Sequence, residues 1–325
     1  MAETYFVTGA LGCIGAWVVK TLVERGDSAF VFDLGGDTSR LKDLIDEEAL
    51  DTVRFVKGDI TDDEAVRKGL ESSGAAKIVH LAGLQVPFCR ADPAKGARVN
   101  VLGTLHMFEA AASLGIDRLV YASSAAVYGP PAPGDAPPDE SSPTEPATHY
   151  GAYKRANEGN ARVYHLDRGI SSIGLRPLTV YGVGRDQGMT SDPTRALKAA
   201  VVRQPFAIRF GGATDFNYAA DAAEAFLAAA DSDLEGAHVF NLPGDSLPVE
   251  EFVRIAEGVL PEEHRGFISV DGPALPLPAE LDGSAFQKAF PDFSRTSVED
   301  GIARTVDGFI KLQQGGKLRT HDLED

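Results

Sequence analysis

Cysteine and basic residues are scarce in this 325-residue sequence, and each scarcity excludes a class of protein. The two cysteines, Cys13 and Cys89, lack metal-ligand spacing and a disulfide framework, so we predict no metal site and a reducing, cytoplasmic setting. Lysine and arginine number 31 against 48 aspartates and glutamates, which gives a net charge of −17. A surface that follows nucleic-acid phosphates needs the opposite sign, so nucleic acid is not an expected partner.

Long apolar runs are missing as well. No stretch reaches the length that spans a membrane, and the N-terminus leads into a strand-like segment without the basic and apolar regions of a signal peptide. We therefore expect no membrane partner. The composition, 43% hydrophobic and 24% charged, is that of an ordinary globular protein.

Glycines are concentrated just after the first predicted strand, residues 4–8. The segment is Gly9-Ala-Leu-Gly12-Cys13-Ile14-Gly15, and it leads into a helix with periodic apolar residues. In a strand–turn–helix unit, such glycines allow a tight turn, close approach of a dinucleotide pyrophosphate and packing of helix against strand. The pattern predicts a dinucleotide site, and the alternative is a glycine-rich turn without a ligand.

Asp33 ends the second predicted strand, about 20 residues after the glycine turn, as the dinucleotide fingerprint requires. A carboxylate there accepts hydrogen bonds from both adenosine ribose hydroxyls and repels a 2′-phosphate. We therefore predict that the cofactor is NAD and not NADP. The alternatives for Asp33 are a helix cap and a solvated loop charge.

Strands and helices alternate regularly as far as residue 177. This alternation predicts an α/β fold, a doubly wound parallel sheet of the Rossmann type. Beyond that residue the alternation breaks, and we expect a smaller mixed α/β C-terminal part that binds the substrate. The predicted NAD-binding domain is 1–177, with return segments at about 211–242, and the substrate-binding part is mainly 178–325.

Three segments depart from this regular pattern. A long predicted helix, about 93–114, contains Asn100 and Gly103, which favour a kink or a close contact. Residues 130–146 are rich in proline and acid and are predicted to form a surface loop that is either disordered or closes over the substrate. The polar C-terminus, 315–325, is expected to fray.

The segment Tyr150-Gly-Ala-Tyr-Lys154 places a tyrosine and a lysine on one helix face, four residues apart. A free tyrosine titrates near pH ~10, and a neighbouring ammonium group favours its phenolate form. Such a phenolate can take a proton from a substrate hydroxyl while hydride leaves the same carbon. The alternative is a pair of ordinary helix-surface residues.

Together these features resemble the extended short-chain dehydrogenase/reductases of the NAD-dependent epimerase/dehydratase family, over nearly the whole chain. The segments that carry the resemblance are Thr8-Gly-Ala-Leu-Gly-Cys-Ile-Gly15, Gly58-Asp59-Ile60, His80-Leu-Ala-Gly83, Asn100-Val-Leu-Gly-Thr104, Ser123-Ser-Ala-Ala-Val-Tyr-Gly129, Tyr150-Gly-Ala-Tyr-Lys154, and Leu175-Arg-Pro177 with Val180-Tyr-Gly182.

The resemblance implies a role for several of these residues. Tyr150 is the expected acid/base, Lys154 the anchor of the nicotinamide ribose that also lowers the tyrosine pKa, and Ser124 the partner of the reacting oxygen. Asp59 and Ile60 are expected beside the adenine, and residues 177–180 beside the nicotinamide. The full predicted cofactor-binding set is Gly9, Gly12, Cys13, Ile14, Gly15, Asp33, Asp59, Ile60, Leu81, Ala82, Gly83, Asn100, Ser123, Tyr150, Lys154, Pro177 and Val180.

Some residues differ from the family pattern. Ala125 and Ala126 stand where the family's 4,6-dehydratases carry an Asp and a Glu that drive loss of water, so dehydration by that route is excluded. Thr179 and Thr214 stand where many nucleotide-sugar epimerases carry an Asn and an Arg that hold the nucleotide diphosphate. These differences put a nucleotide-linked substrate in doubt, although three arginines are possible substitutes: Arg185, Arg195 and Arg209.

We therefore predict an NAD-dependent oxidoreductase that acts on a hydroxyl of a sugar or sugar acid, and the missing diphosphate contacts favour net dehydrogenation. One alternative is a nucleotide-sugar 4-epimerase that retains its NAD. A further alternative is a dinucleotide-binding sensor without catalysis, which the intact Tyr150 and Lys154 argue against. A structural α/β protein leaves the glycine turn and Asp33 unexplained.

A homodimer is also expected, because the family pairs the helices that match 93–114 and 150–167 across a two-fold axis. Apolar residues on these helices exceed what one sheet face needs, notably Val101, Leu105, Phe108 and Val163. The alternative is that all of these residues face the sheet.

Overall fold

The computed structural model describes residues 2–132 and 134–324. Its strands are β1 (Thr4–Thr8), β2 (Ser28–Asp33), β3 (Arg54–Lys57), β4 (Lys77–His80), β5 (Arg118–Ala122), β6 (Ser171–Arg176), β7 (Thr179–Tyr181), β8 (Phe206–Ile208), β9 (Ala213–Tyr218), β10 (Ala237–Asn241), β11 (Asp245–Pro248) and β12 (Ile268–Val270). Its α-helices are α1 (Cys13–Arg25), α2 (Ser39–Leu44), α3 (Glu47–Leu50), α4 (Asp63–Ser73), α5 (Val86–Ala91), α6 (Pro93–Ala97), α7 (Gly103–Ser113), α8 (His149–Arg168), α9 (Asp192–Val201), α10 (Ala219–Asp231), α11 (Val249–Val259), α12 (Ser284–Ala289) and α13 (Val298–Gln314).

A seven-stranded parallel sheet in the order β10-β6-β5-β4-β1-β2-β3 forms the centre of the fold. Strand β1 pairs with β2 on one side and with β4 on the other, so the chain changes direction across the sheet beside β1. In such sheets, ligands bind outside the carboxyl ends of the strands at this switch point. The predicted doubly wound α/β fold is confirmed.

Strand β1 shows why the sheet is buried on both faces. Tyr5 and Val7 belong to the core that also contains the apolar residues of α1. Phe6 points the opposite way, into a second core with Phe30 and Phe32. A strand covered by helices on both faces is apolar at consecutive positions, which is why these short segments could be predicted from sequence.

The remaining strands form two small sheets. One has the order β11-β9-β7, and the other pairs β12 with β8. Strand β10 returns to the edge of the large sheet, where it runs parallel to β6. The predicted mixed C-terminal region is therefore present. Within residues 2–132 and 134–324, no helix is both long enough and apolar enough to cross a membrane.

The predicted helix 93–114 contains an irregular turn at the expected place. Between α6 and α7 the backbone forms a π-helical turn, Arg98–Leu102. A side chain on Gly103 would place its Cβ 2.8 Å from Ile60 Cγ2, so only glycine allows this close contact. Asn100 and Gly103, which are unfavourable inside a regular helix, therefore mark a distorted turn and a tight contact, as the sequence indicated.

The prediction that the C-terminus frays was wrong for most of the tail. Asp322 and Leu323 are buried, and Lys198 Nζ donates to both Asp322 carboxylate oxygens at 2.9 and 2.8 Å. Arg319 pairs with Asp43 of α2. No local sequence pattern indicates these contacts, because each joins residues that are more than a hundred positions apart. Asp325 lies outside the described residues.

The proline-rich segment 130–146 contacts the body of the protein. Asn241 at the end of β10 donates from Nδ2 to the Pro138 carbonyl at 2.9 Å, and its backbone N–H donates to Glu140 at 2.7 Å. The Tyr128 hydroxyl donates to the Asp139 carbonyl at 2.8 Å. These bonds attach residues 138–140 beside the carboxyl end of the sheet. Pro133 is not among the described residues.

Candidate active site

The turn between β1 and α1 requires glycine at two of its three glycine positions, Gly9 and Gly15. Gly9 has a left-handed φ of 70°, and a Cβ there would lie 2.5 Å from the Ala82 nitrogen. A Cβ on Gly15 would lie 2.3 Å from the Gly9 carbonyl oxygen. Gly12 precedes α1 in an extended conformation, and no described side chain caps the helix. The first N–H groups of α1, those of Cys13 and Ile14, therefore have no side-chain cap among the described residues, and their binding of a dinucleotide phosphate stays a prediction.

Asp33 lies against this turn at the end of β2. Its carboxylate accepts hydrogen bonds from the Leu11 N–H at 3.1 Å and the Leu34 N–H at 2.8 Å. Burial raises the pKa of the Asp33 carboxyl, and the two N–H groups oppose the rise. The carboxylate thus has oxygen lone pairs beside the turn, where the ribose of an adenosine is predicted to lie.

The chain after β4 passes over the same turn. The backbone at Leu81 and Ala82 contacts Gly9, and a Cβ on Gly83 would lie 2.7 Å from Asn100 Oδ1. Asn100 Oδ1 is buried and has no hydrogen-bond partner among the described residues. An unpaired buried acceptor facing the predicted cofactor path is consistent with the predicted role of Asn100 in cofactor binding.

His80, at the end of β4, is a core residue. Its Nδ1 lies 2.7 Å from Thr8 Oγ1, and its Nε2 lies 3.0 Å from Thr104 Oγ1. Burial lowers the pKa of His80 to about 3, so the ring is neutral at physiological pH. Both ring nitrogens have hydroxyl partners, which gives His80 a structural role.

Asp59 and Ile60, predicted to flank the adenine, follow β3. The Asp59 carboxylate is bonded to the Thr61 N–H and hydroxyl, both at 2.8 Å. Ile60 is buried, and its carbonyl lies 3.0 Å from His106 Nδ1. The side chain of Ile60 packs against Gly103, next to the π-helical turn.

Helix α8 carries Tyr150 and Lys154 on one face, as predicted. Lys154 is buried, its Nζ donates to the Ala122 carbonyl at 2.7 Å, and the same atom lies 5.5 Å from the centre of the Tyr150 ring. Burial lowers the pKa of Lys154 to about 8. Helix α8 approaches closely because Gly151 has no side chain: a Cβ there would lie 2.2 Å from the Ala126 carbonyl oxygen.

The electrostatic surroundings of Tyr150 include Arg185, which the sequence suggested only as a possible diphosphate contact. Burial raises the pKa of the Tyr150 phenol, and the Ser124 hydroxyl and the Arg185 guanidinium act in the opposite direction. Ser124 Oγ also accepts the Ala126 N–H at 3.2 Å. Ser124 is therefore beside the phenol, as the resemblance implied. The predicted effect of Lys154 on this pKa stays a prediction.

Ala125 and Ala126 form the turn that follows Ser124, and both are buried. Their side chains are methyl groups, which cannot donate or accept a proton. The backbone N–H of Ala125 donates to the Pro177 carbonyl at 3.1 Å, which joins this turn to the segment before β7. The exclusion of dehydration stays a prediction.

A buried polar network under the site was missed by the sequence analysis. Arg176 binds both oxygens of Glu158, at 2.8 and 2.7 Å, and donates to the Tyr128 hydroxyl at 2.6 Å. The Ser123 hydroxyl also donates to Glu158. The side chain of Ser123, a predicted cofactor residue, therefore points into this network. Glu158 lies on α8, two helical turns beyond Tyr150. The sequence could have indicated this network, because the spacing of Tyr150, Lys154 and Glu158 places all three on one face of α8.

Thr179 and Thr214, the two residues that differ from the nucleotide-sugar pattern, lie together. Their hydroxyl oxygens are 2.7 Å apart, and the residues are 0% and 1% exposed. The hydroxyls therefore satisfy one another in the protein interior. Pro177 and Val180 lie within two residues of Thr179 on this segment, and Val180 is buried.

Two of the three arginines named as possible substitutes are held by one carboxylate. Arg195 donates to Asp192 at 3.2 Å, and Arg209 donates to the same residue through Nε at 2.9 Å and Nη2 at 2.8 Å. Asp192 is 2% exposed. The third, Arg185, donates instead to a hydroxyl, that of Thr190 at 3.1 Å.

Comparison with known proteins assigns the family. The model of the NAD dependent epimerase/dehydratase family matches residues 5–242. The chain belongs to this family. It is an enzyme family defined by NAD dependence, so the predicted enzyme class and cofactor are confirmed, and the glycine turn, Asp33 and the unpaired Oδ1 of Asn100 fit that cofactor.

Similar proteins in this epimerase/dehydratase family carry sugar-nucleotide names. UDP-glucose 4-epimerase 4 of Oryza sativa subsp. japonica is 31% identical, over 90% of this chain and 85% of that protein. UDP-glucuronate 4-epimerase 4 of Arabidopsis thaliana is 30% identical, over 78% and 63%. The crystal structure of Thermus thermophilus UDP-glucose 4-epimerase in complex with NAD superposes with a TM-score of 0.80 and 25% identity, covering 94% of this chain and 99% of that one.

Proposed function

We propose that this family member oxidises a hydroxyl group of a sugar or sugar acid that carries no nucleotide, and releases the oxidised product. The observation that favours this over epimerisation of a nucleotide sugar is the closed pair of Thr179 and Thr214 hydroxyls. An epimerase must return the hydride to the other face of a ketone that has turned while still bound. Without a diphosphate anchor, a single oxidation followed by release is the simpler course.

Tyr150 is the proposed base. Its phenol lies at the carboxyl end of the sheet beside Ser124, and the phenolate takes the proton from the substrate hydroxyl. Ser124 donates a hydrogen bond to the substrate oxygen and so fixes the reacting carbon. When bound, NAD accepts the hydride from that carbon.

Lys154 is proposed to hold the nicotinamide ribose. Its ammonium donates to the Ala122 carbonyl and lies next to Gly83, where a Cβ would come within 3.6 Å of Nζ. An ammonium group has three donors, so two remain for ribose hydroxyls. Its pKa of about 8 leaves it charged at neutral pH, which favours the phenolate form of Tyr150.

The remaining predicted cofactor residues follow the same path. The glycine turn and the N-terminus of α1 are proposed to bind the pyrophosphate, Asp33 the adenosine ribose, and Asp59 with Ile60 the adenine. This division supports an NAD-binding domain of residues 1–177 completed by the return segment 211–242, in which β10 joins the large sheet beside β6. Residues 178–325 are proposed to supply most of the substrate contacts.

A nucleotide-sugar 4-epimerase that retains its NAD is the second candidate. The names of the relatives favour it, because UDP-glucose 4-epimerase 4 matches along 90% of the chain. The absorbance of NADH during turnover separates the two functions. Purified protein is incubated with NAD and sugars, sugar acids and UDP-sugars in turn. Stoichiometric NADH in solution supports a dehydrogenase. Product without NADH, with NAD carried through purification, establishes the epimerase instead.

A homodimer is proposed as the working form. Val163 and Leu166 on α8 are 51% and 69% exposed, and Leu102 on the π-helical turn is 40% exposed. Phe108, which was expected on the same surface, is fully buried against Tyr121 and Tyr164 and faces the sheet instead. Light scattering at micromolar concentration tests the assembly, and a monomer mass there refutes it.

A cytoplasmic location is consistent with the free thiols of Cys13 and Cys89.

A further inference from the structure

The loop between β7 and α9, residues 182–191, crosses the N-terminal end of α1. The Val183 carbonyl accepts a hydrogen bond from Trp17 Nε1 on α1 at 2.9 Å. Arg40 joins Asp186 of the loop to the glycine turn, because it bonds the Asp186 carboxylate at 2.6 Å and the Leu11 carbonyl at 2.8 Å. Both attachments lie beside Arg185, so the backbone at this residue is fixed over the helix end.

No carboxylate in the described part of the chain forms an ion pair with the Arg185 guanidinium. Its Nη2 donates to Thr190 Oγ1 at 3.1 Å. Its Nε is inaccessible to solvent and has no hydrogen-bond partner among residues 2–132 and 134–324. The neighbouring acid, Asp186, is taken by Arg40 through three hydrogen bonds. A half-buried guanidinium in this condition is costly unless an anion binds it.

The guanidinium faces the space between the glycine turn and the catalytic tyrosine. Burial raises the pKa of the Cys13 thiol to about 11, and Arg185 is the strongest influence in the opposite direction. Arg185 also opposes the rise in the pKa of Tyr150. Gln85 lies at the same place: a Cβ on Gly188 would lie 2.3 Å from Gln85 Oε1 and 3.2 Å from Arg185 Nη2.

We propose that Arg185 binds the pyrophosphate of NAD, so that a loop outside the predicted NAD-binding domain completes the cofactor site. Asp33 marks the adenosine end of the cofactor path and Lys154 the nicotinamide end. The anionic part of the dinucleotide between them is the pyrophosphate. The glycine turn itself supplies N–H groups but no cation, since no lysine or arginine occurs from Gly9 to Gly15. Arg185 supplies the missing positive charge with a planar fork that suits phosphate oxygens.

This proposal rests on the placement of NAD proposed above, but not on the substrate or on turnover. The test compares Arg185→Gln and Arg185→Lys with the wild type in direct binding. Dissociation constants for NADH are measured from its fluorescence, and those for ADP-ribose and adenosine by competition. Arg254→Gln is the matched control, because it removes the same charge from an exposed site on α11.

Arg185→Gln is expected to weaken NADH and ADP-ribose binding by about 10- to 100-fold, the range for a lost charge-assisted hydrogen bond. Adenosine, which has no phosphate, should bind as before. Arg185→Lys should recover part of the loss, and the salt dependence of NADH binding should be weaker in Arg185→Gln. The control variant should bind all three ligands like the wild type.

Two results would overturn the proposal. If Arg185→Gln leaves NADH binding unchanged but raises the substrate KM, Arg185 belongs to the substrate site. If it weakens NADH, ADP-ribose and adenosine equally, the loop supports the site without contacting the phosphates. Should Arg185→Gln fail to fold, Arg185→Lys decides by the same comparison: a loss confined to the two phosphate ligands supports the contact, and an equal or absent loss rejects it.

Discussion

The hydroxyl pair of Thr179 and Thr214 provides a quantitative test of the proposed function. Thr214→Val keeps the shape of the side chain but leaves the Thr179 hydroxyl buried without its partner. An unpaired buried hydroxyl costs about 1–3 kcal/mol. The Thr179→Val single variant should cost a similar amount. The double variant removes both polar groups at once, so its stability should lie close to that of the wild type.

Because each single variant loses about 1–3 kcal/mol and the double variant loses little, the cycle predicts a coupling energy of about 2–6 kcal/mol between the two sites. Urea unfolding of the four proteins measures it, provided that the slope with denaturant stays constant. NAD affinity and substrate KM are measured in parallel. Because neither hydroxyl reaches solvent, the double variant should retain both. A double variant that is stable yet has a greatly raised KM would show that the hydroxyls contact substrate, and the argument against a diphosphate-type anchor here would be lost.

The other predictions concern the catalytic residues, the cofactor and one buried acid. Tyr150→Phe should abolish nearly all turnover while NAD binding is retained, Lys154→Met should impair both, and Ser124→Ala should lower kcat by about 10²–10³; substantial activity in Tyr150→Phe contradicts the mechanism. Asp33 should make the protein prefer NAD, and equal or tighter binding of NADP in a titration rejects this role. Burial raises the pKa of Asp215 from 3.8 to about 7, so the contribution of Asp215 to the free energy of unfolding falls as pH rises through that range. Over the same range the stability of Asp215→Asn relative to the wild type should increase by up to about 4 kcal/mol. A difference in unfolding free energy that does not change with pH refutes this prediction.

The parts of the site that could be predicted from sequence are those fixed by short-range spacing. A glycine turn between a strand and a helix has few possible geometries, and Gly9 and Gly15 have the close backbone contacts that the pattern requires. Tyr150 and Lys154 face the same way because they are one helical turn apart. The switch point beside β1 then brings both features to the carboxyl end of one sheet.

The contacts that sequence analysis missed depend on register and on distant pairing. Thr179 and Thr214 meet only because β7 and β9 are parallel neighbours in which Thr179 stands opposite Phe216. Each residue alone looked like the loss of a contact, whereas together they form a new one. Burial of the tail was missed for a related reason, since a polar segment is buried only when its charges find partners such as Lys198.

The state of Asp192 bears on the choice between the two candidate functions. A nucleotide-linked substrate would need cations for its diphosphate, and Arg195 and Arg209 were named from the sequence as possible substitutes for the missing contacts. Both bind Asp192, whose side chain is only 3% exposed. Arg195 is itself buried, so drawing it away would break a buried ion pair, whereas Arg209 is 56% exposed and its departure would leave Asp192 paired with Arg195. Arg185 is directed to the cofactor in our proposal. A small substrate without a diphosphate makes no such demand, and this favours dehydrogenation of a free sugar or sugar acid.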